Sequence, residues 1–315
     1  MEPFRIPVLL SSDNNQVNAM AVVMTSAIET AGEGTFYDFY CFLSDDVTPE
    51  NRNRLKDCEK IVAGACSVTL VDMAEHFKGA IQYSGAVGMV HSVTTPALYR
   101  LKAPSVLKHL DKVLYLDTDT MVRKDLRELF EIPMGNAYIA GVPVVWAQAK
   151  KHDRNRWLRQ SGIPGMDEYV NSGVLLMNLK AMREEGIEGK CLALVGKKEF
   201  APLDPADQLI LNYVCYGRIA FVPCRYNVTM SNMKEKDRVK VFFSAREARE
   251  AFDDPAVIHW TGAGKPWKYY DVLLAHEWWR RYLQSPFGDV ALKRSAKPGK
   301  VATWWNLARK ALKLK

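Results

Sequence analysis

No apolar run in this chain of 315 residues approaches the roughly eighteen needed to cross a bilayer, so no membrane-spanning helix is expected. The start, MEPFRIPVLLSSDNN, has no basic n-region, and its apolar stretch is too short for a signal peptide. The six cysteines (Cys41, Cys58, Cys66, Cys191, Cys215 and Cys224) make no CxxC pair and follow no regular spacing. That excludes a disulfide framework and suits reduced thiols in the cytoplasm. Acidic residues are missing from Ala291 to Lys315, where eight Lys or Arg stand unopposed. Subtracting that tail from the net charge of +7 leaves the first 290 residues at −1. A near-neutral body argues against a nucleic-acid-binding surface, and no nucleic-acid partner is expected. No internal repeat and no linker precede residue 290. We therefore expect one domain over 1–290 and a basic tail over 291–315, with 48% hydrophobic residues enough for a sizeable core.

The rest of the chain is organised around DKVLYLDTDT, residues 111–120. Val113 to Leu116 read as a short buried strand. Asp117 and Asp119 follow, separated by Thr118. If the backbone stays extended, both carboxylates project to one side. Bare anions so placed repel, and hard oxygen ligands of this kind suit Mg²⁺ or Mn²⁺ shared with a bound phosphate. Nineteen aspartates in 315 residues produce about one Asp-x-Asp by chance, so the tripeptide alone proves nothing. Its position behind VLYL gives it weight.

Upstream, strands are expected at Ile6–Leu10, Phe39–Leu43 and Val68–Val71, with helices over Val17–Ile28 and from Pro49 to Ile61 between them. Strand, polar loop and helix open a βαβ unit, and ligands of such sheets gather beyond the carboxyl ends of the strands. Gln82 to Thr95 reads as a long loop, and Pro96 to Leu110 as a helix that Pro104 should end or kink. Arg100 sits in that helix, either as an ion-pair partner of Asp117 or Asp119 or as a phosphate contact. Downstream, a short helix is expected over Asp125–Phe130 and a strand over Ile139–Val145. Residues 147–169, with basic residues from Lys150 to Arg159, read as a lid or an acceptor-facing loop. Val174–Met177 is a strong buried strand behind Asn171-Ser172-Gly173, the glycine marking a bulge or a close backbone approach. Pro205–Tyr216 reads as an amphipathic helix with Asp207 and Gln208 in its first turn. Gln208 is either a cap partner there or faces a sugar.

The second informative stretch is VIHWTGAGKPWK, Val257 to Lys268. His259 ends a strand before a turn holding Gly262, Gly264 and Lys265, the layout of a metal ligand beside a phosphate cradle. Alone, such a histidine is more often a half-buried, hydrogen-bonded one.

Together, DKVLYLDTD, NSGVLLMNLK and HWTGAGKPW, in order and at this spacing, resemble the bacterial retaining glycosyltransferases of family 8, near the α-galactosyl- and α-glucosyltransferases that build lipopolysaccharide cores. The resemblance spans roughly Ile6 to Trp267. It implies a GT-A fold: a single α/β nucleotide-sugar-binding domain with a mixed, mostly parallel sheet. It implies Mn²⁺, with Mg²⁺ as a substitute, held by Asp117, Asp119 and His259 on the two phosphates of UDP-galactose or UDP-glucose. Thr118 falls inside the same donor-binding motif. By the same resemblance Asp13 and Asn15 contact the uridine, Gly262 and Lys265 the diphosphate side, and Arg100 the donor. Asn171, Asp207 and Gln208 line the donor sugar and reaction centre. The chain departs from its relatives at Gln16, where an aromatic is frequent, and near Val144, where some galactosyltransferases hold an aspartate.

The implied reaction moves a hexose, with retention, onto a hydroxyl of a lipopolysaccharide-type saccharide. Two rivals stand beside it. A metal-dependent nucleotidyltransferase would also pair strand-end carboxylates with a nucleotide, but leaves HxxGxxKPW unexplained. A non-catalytic membrane-surface protein would explain only the tail. In that tail Trp304, Leu307, Ala308, Ala311 and Leu312 fall on one helical face and Arg309, Lys310 and Lys313 on the other, behind Pro298-Gly299. A basic amphipathic helix bearing Trp304 and Trp305 suits the anionic surface of a membrane, here its cytoplasmic face.

Overall fold

The computed structural model describes residues 2–77, 95–144, 162–195 (save 166), 206–234, 239 and 243–296. The loop before Thr95, the basic cluster Lys150–Arg159 and the helix expected from Lys300 to Lys315 lie outside them.

Strand β1 (Phe4–Ser12) is apolar almost throughout and is buried from Ile6 onward, as a strand covered on both faces must be. It pairs in parallel with β2 (Thr35–Leu43), which pairs in parallel with β3 (Cys66–Asp72). The helices Val17–Glu29 and Pro49–Lys56 cross between them, the second extended by a 3₁₀ turn over Asp57–Lys60. On the other side of β1 lies β4 (Lys112–Leu116), also parallel. Chain direction along the sheet therefore reverses at the β1/β4 boundary, where ligands of open α/β sheets bind.

The helix expected over Pro96–Leu110 is broken. It runs Thr95–Tyr99, tightens to 3₁₀ over Arg100–Lys102 and restarts at Ala103, with Pro104 in the first turn of the new segment. Proline lacks an N–H, so it is accommodated at a helix start and not inside one.

After β4 come β5 (Thr120–Val122), β6 (Ile139–Pro143), β7 (Val170–Asn178), β8 (Ile219–Phe221), β9 (Val228–Thr229) and β10 (Val257–His259). Among the described residues the main sheet has the order β3-β2-β1-β4-β7-β6-β8, with β7 antiparallel to both neighbours. A small sheet, β5-β10-β9, stands beside it.

Alternate residues of the main sheet feed two cores. Val8, Leu10, Leu114 and Leu116 pack against the helix Val17–Glu29. Leu9, Val113, Tyr115 and Leu175 pack on the opposite face, with Leu209 and Ile210 of the helix Ala206–Val214. The helix Ala275–Gln284 closes the first face with Trp278 and Tyr282 stacked at 5.2 Å. Beyond it the chain turns back, and Ser295 bridges to Tyr269 while the Arg294 guanidinium lies 3.9 Å over the Trp279 ring. Residues up to Ser295 thus rest on the domain. All six cysteines are free and buried. Among the described residues no helix is long and apolar enough to cross a membrane.

Candidate active site

The strand β4 ends at Leu116, and Asp117-Thr118-Asp119 form a turn, closed by Thr120 N–H donating to the Asp117 carbonyl at 3.1 Å. The backbone therefore does not stay extended through the two aspartates. Two strand partners bring the carboxylates to one point instead. Because β7 runs antiparallel with Val174 opposite Leu116, Asn171-Ser172-Gly173 lie beside the turn, and Asp117 N–H donates to the Gly173 carbonyl at 2.8 Å. Because β10 pairs with β5, His259 sits opposite Thr120, and Trp260 N–H donates to the Asp119 carbonyl at 2.9 Å.

His259 Nε2 then lies 3.1 Å from Asp119 Oδ1 and 3.8 Å from Asp117 Oδ2. One ligand atom from each of the three falls within 4.8 Å of the others. Two hard carboxylate oxygens and one imidazole nitrogen fit a divalent ion such as Mn²⁺ or Mg²⁺. The other oxygens are occupied. Asp117 Oδ1 accepts from Arg100 at 2.8 Å and from the Tyr115 hydroxyl at 2.7 Å, and Asp119 Oδ2 accepts from Lys265. Burial opposes ionisation of Asp119, but His259 and Lys265 outweigh it and hold the carboxyl well below its ordinary range.

Gly173 is a close backbone approach, as the sequence suggests. A Cβ there would fall 2.2 Å from His259 Cε1 and 2.7 Å from Asp117 Oδ2, so only glycine leaves room for the cluster. Gly262 has φ +75°, which turns the chain after β10 and brings Lys265 back to Asp119.

Arg100 is buried, with its guanidinium 4.0 Å over the Tyr115 ring. It bonds Asp117, the Ser172 carbonyl (2.7 Å) and Asp207 (3.3 Å). Burial alone would lower its pKa, yet Asp117, Tyr115 and Asp207 raise it. Asp207 is raised as well: burial lifts its pKa, and Arg100 offsets only part of that. Gln208 accepts through Oε1 from Asn171 Nδ2 (2.9 Å) and Ser172 N–H (3.1 Å), and donates through Nε2 to Tyr169 at 3.2 Å.

Asp13 accepts from the N–H groups of Asn15 and Gln16, forming the turn into the helix Val17–Glu29. Thr118 donates to Gln16 Oε1 at 3.2 Å, joining that turn to the aspartate loop.

A cavity of about 780 Å³ collects Asp13, Arg100, Asp117, Thr118, Asp119, Asn171, Asp207, Gln208, His259, Gly262 and Lys265. Gln16 and Val144 also line it. Asn15, exposed on the same turn as Asp13, does not. The lining also includes Ser172, Asn227, Thr229, Lys268 and Tyr269, which sequence reasoning did not single out. Asn227 in particular bears no signal in the chain beyond a polar residue before Val228-Thr229; only the β9/β10 pairing places it against His259.

With this geometry in hand, comparison with known proteins gives a consistent result. The profile of "Glycosyl transferase family 8" matches residues 7–271. The chain is similar to the General stress protein A of Bacillus subtilis, 22% identical over 81% of this chain and 85% of that one. It is also similar to a lipopolysaccharide 1,2-glucosyltransferase of Escherichia coli (28% identical over 54% of this chain) and a lipopolysaccharide 1,3-galactosyltransferase of Salmonella typhimurium (27% over 58%). The match spans about half the length of each of these two, at 51% and 52%. Among solved structures, the galactosyltransferase LgtC in complex with donor and acceptor sugar analogs superimposes with a TM-score of 0.71, at 20% identity over 89% of this chain and 96% of that one. The WbbM bifunctional enzyme gives 0.73 at 24% identity, over 90% of this chain and 50% of that one. The fold is GT-A, and the chain belongs to glycosyltransferase family 8.

Proposed function

From its membership of glycosyltransferase family 8, we propose that this chain transfers galactose or glucose from a UDP-sugar to a hydroxyl of a lipopolysaccharide-type saccharide, retaining the α configuration. The observation that carries the reading is the convergence of Asp117, Asp119 and His259 in a cavity that also holds Lys265, Arg100 and Gln208. Those three would hold Mn²⁺, with Mg²⁺ as a substitute. A divalent ion there supplies Lewis acidity for the departing UDP, worth several kcal/mol at the transition state.

The side chains divide the remaining work by position. Asp13, which lines the cavity beside the carboxyl end of β1, would contact the uridine. Gly262 opens the turn that carries Lys265, whose ammonium adds fixed positive charge on the diphosphate side. Arg100 holds Asp117 and Asp207 in place from beneath. Asn171, Asp207 and Gln208 orient the donor sugar. Gln208 offers only an amide oxygen, a poor covalent nucleophile, and Asp207 Oδ2 is paired with Arg100. This favours attack by the acceptor hydroxyl on the face the UDP leaves. Its oxygen bonds to the anomeric carbon, the bond to the β-phosphate oxygen breaks, and the hydroxyl proton passes to that oxygen.

The part of the basic tail beyond Ala296 would hold the enzyme at the cytoplasmic face of the membrane, where a lipid-linked acceptor lies. At about 1 kcal/mol per basic residue near an anionic surface, its charge gives salt-sensitive, reversible attachment.

Incubation with Mn²⁺ and single UDP-sugars, without acceptor, tests the reading. Slow release of UDP and free hexose from one of them is expected. Release of pyrophosphate from a nucleotide triphosphate would indicate a nucleotidyltransferase, and no turnover of any UDP-sugar would remove the proposal.

A further inference from the structure

A chain of amide hydrogen bonds runs from the reaction centre to the third corner of the carboxylate cluster, and its direction is fixed at one end. Backbone N–H groups can only donate. Gly173 N–H donates to Asn171 Oδ1 at 3.0 Å, and Ser172 N–H to Gln208 Oε1 at 3.1 Å. Both amides are thereby oriented, and Asn171 Nδ2 is left to donate to Gln208 Oε1. Asn171 Oδ1 also faces Asn227 at 2.7 Å, so it is the Asn227 Nδ2 that points there. The other end of the Asn227 amide, Oδ1, then faces His259 Nδ1 at 2.9 Å. An acceptor at that point requires a hydrogen on Nδ1. Nε2, the nitrogen facing Asp117 and Asp119, is then the one that can exchange its proton for a cation. Asn227 is 1% exposed and His259 2%, so water does not compete for either contact.

We propose that Asn227 is a positioning residue for the cation site: it passes the polarity of the Ser172 and Gly173 backbone to His259 and fixes the tautomer that can bind a metal. Ligating histidines depend on such an outer partner, and losing one lowers metal affinity by about ten- to hundredfold. The inference rests on reading Asp117, Asp119 and His259 as a divalent-cation site, and the test separates the two.

Long-range ¹H–¹⁵N NMR of the protein loaded with diamagnetic Mg²⁺ reads directly which ring nitrogen carries the proton. The His259 signals, assigned by their loss in His259→Gln, should show the proton on Nδ1; a proton on Nε2 overturns the inference without any Asn227 variant. Mn²⁺ titrations followed by the EPR signal of the free ion supply the second reading. Asn227→Ala should weaken Mn²⁺ binding about ten- to hundredfold with the fold intact by circular dichroism. Asn227→Asp keeps an acceptor for Nδ1–H and should recover most of that loss, which a residue needed only for packing would not do. An alanine variant that binds Mn²⁺ like the parent, or alanine and aspartate variants equally weakened, overturns the inference alone. A parent protein that binds no Mn²⁺, with or without UDP, overturns the site reading beneath it.

Discussion

Lys265 meets Asp119 as an ion pair while its ammonium also donates to the Trp260 carbonyl at 2.7 Å. Asp119 is also one of the three groups assigned to the cation, so the ammonium and a divalent ion compete for one carboxylate. Lys265 holds Oδ2 while Oδ1 faces the cation site, so the two positive charges repel across one carboxylate. Replacing it with methionine should therefore raise the affinity for Mn²⁺ alone by several-fold, because a competing cation is removed, while weakening UDP in the presence of Mn²⁺. Calorimetric titrations of the two ligands separately give both signs, and a variant that binds Mn²⁺ more weakly than the parent would contradict the competition. Sequence makes Asp117, Asp119 and His259 legible, since each stands at a strand end or in a glycine-rich turn. It leaves Asn227 and Tyr115 unmarked, because their roles come from contacts 32 residues away to His259 and through the turn to Asp117.

Elements, more than single residues, set the spacing within the cluster. Strand β7 contributes Gly173 at the point where β4 gives way to the aspartate turn, and its missing side chain admits His259. The backbone of Gly173 needs no left-handed conformation, so a methyl group there strains packing only. Gly173→Ala should cost about 1–3 kcal/mol of stability, as overpacking does, and displace His259 from the carboxylates. Thermal unfolding with and without Mn²⁺ tests this: the stabilisation that Mn²⁺ confers on the parent should shrink sharply in the variant, and an unchanged Mn²⁺-induced shift would contradict it. The strands β1 and β4 were legible in the chain because buried parallel strands are continuous apolar runs. The interruption near Pro104 was legible as well, whereas the turn at Asp117–Asp119 was not, since the β7 and β10 pairings impose it.

Over the whole molecule, the domain and its tail are expected to separate in function. Ser295 and Arg294 rest on the domain, so the cut that spares it falls after Ala296. Removing residues 297–315 should preserve UDP-sugar hydrolysis and abolish sedimentation with anionic liposomes at low salt; a truncated protein that still pellets would put the membrane contact elsewhere. Transfer itself should give an α-linked first product, read from its anomeric proton signal, and an initial β signal would remove retention. All of these depend on one premise, that the family 8 cavity binds UDP through a cation held by Asp117, Asp119 and His259. Calorimetric titration of UDP into the parent and into Asp119→Ala, each with and without Mn²⁺, tests it most directly. The parent should bind UDP far more tightly with Mn²⁺ than without, and the folded variant should show no such difference. Equal Mn²⁺-dependent binding by both proteins would contradict the cation site and the mechanism built on it.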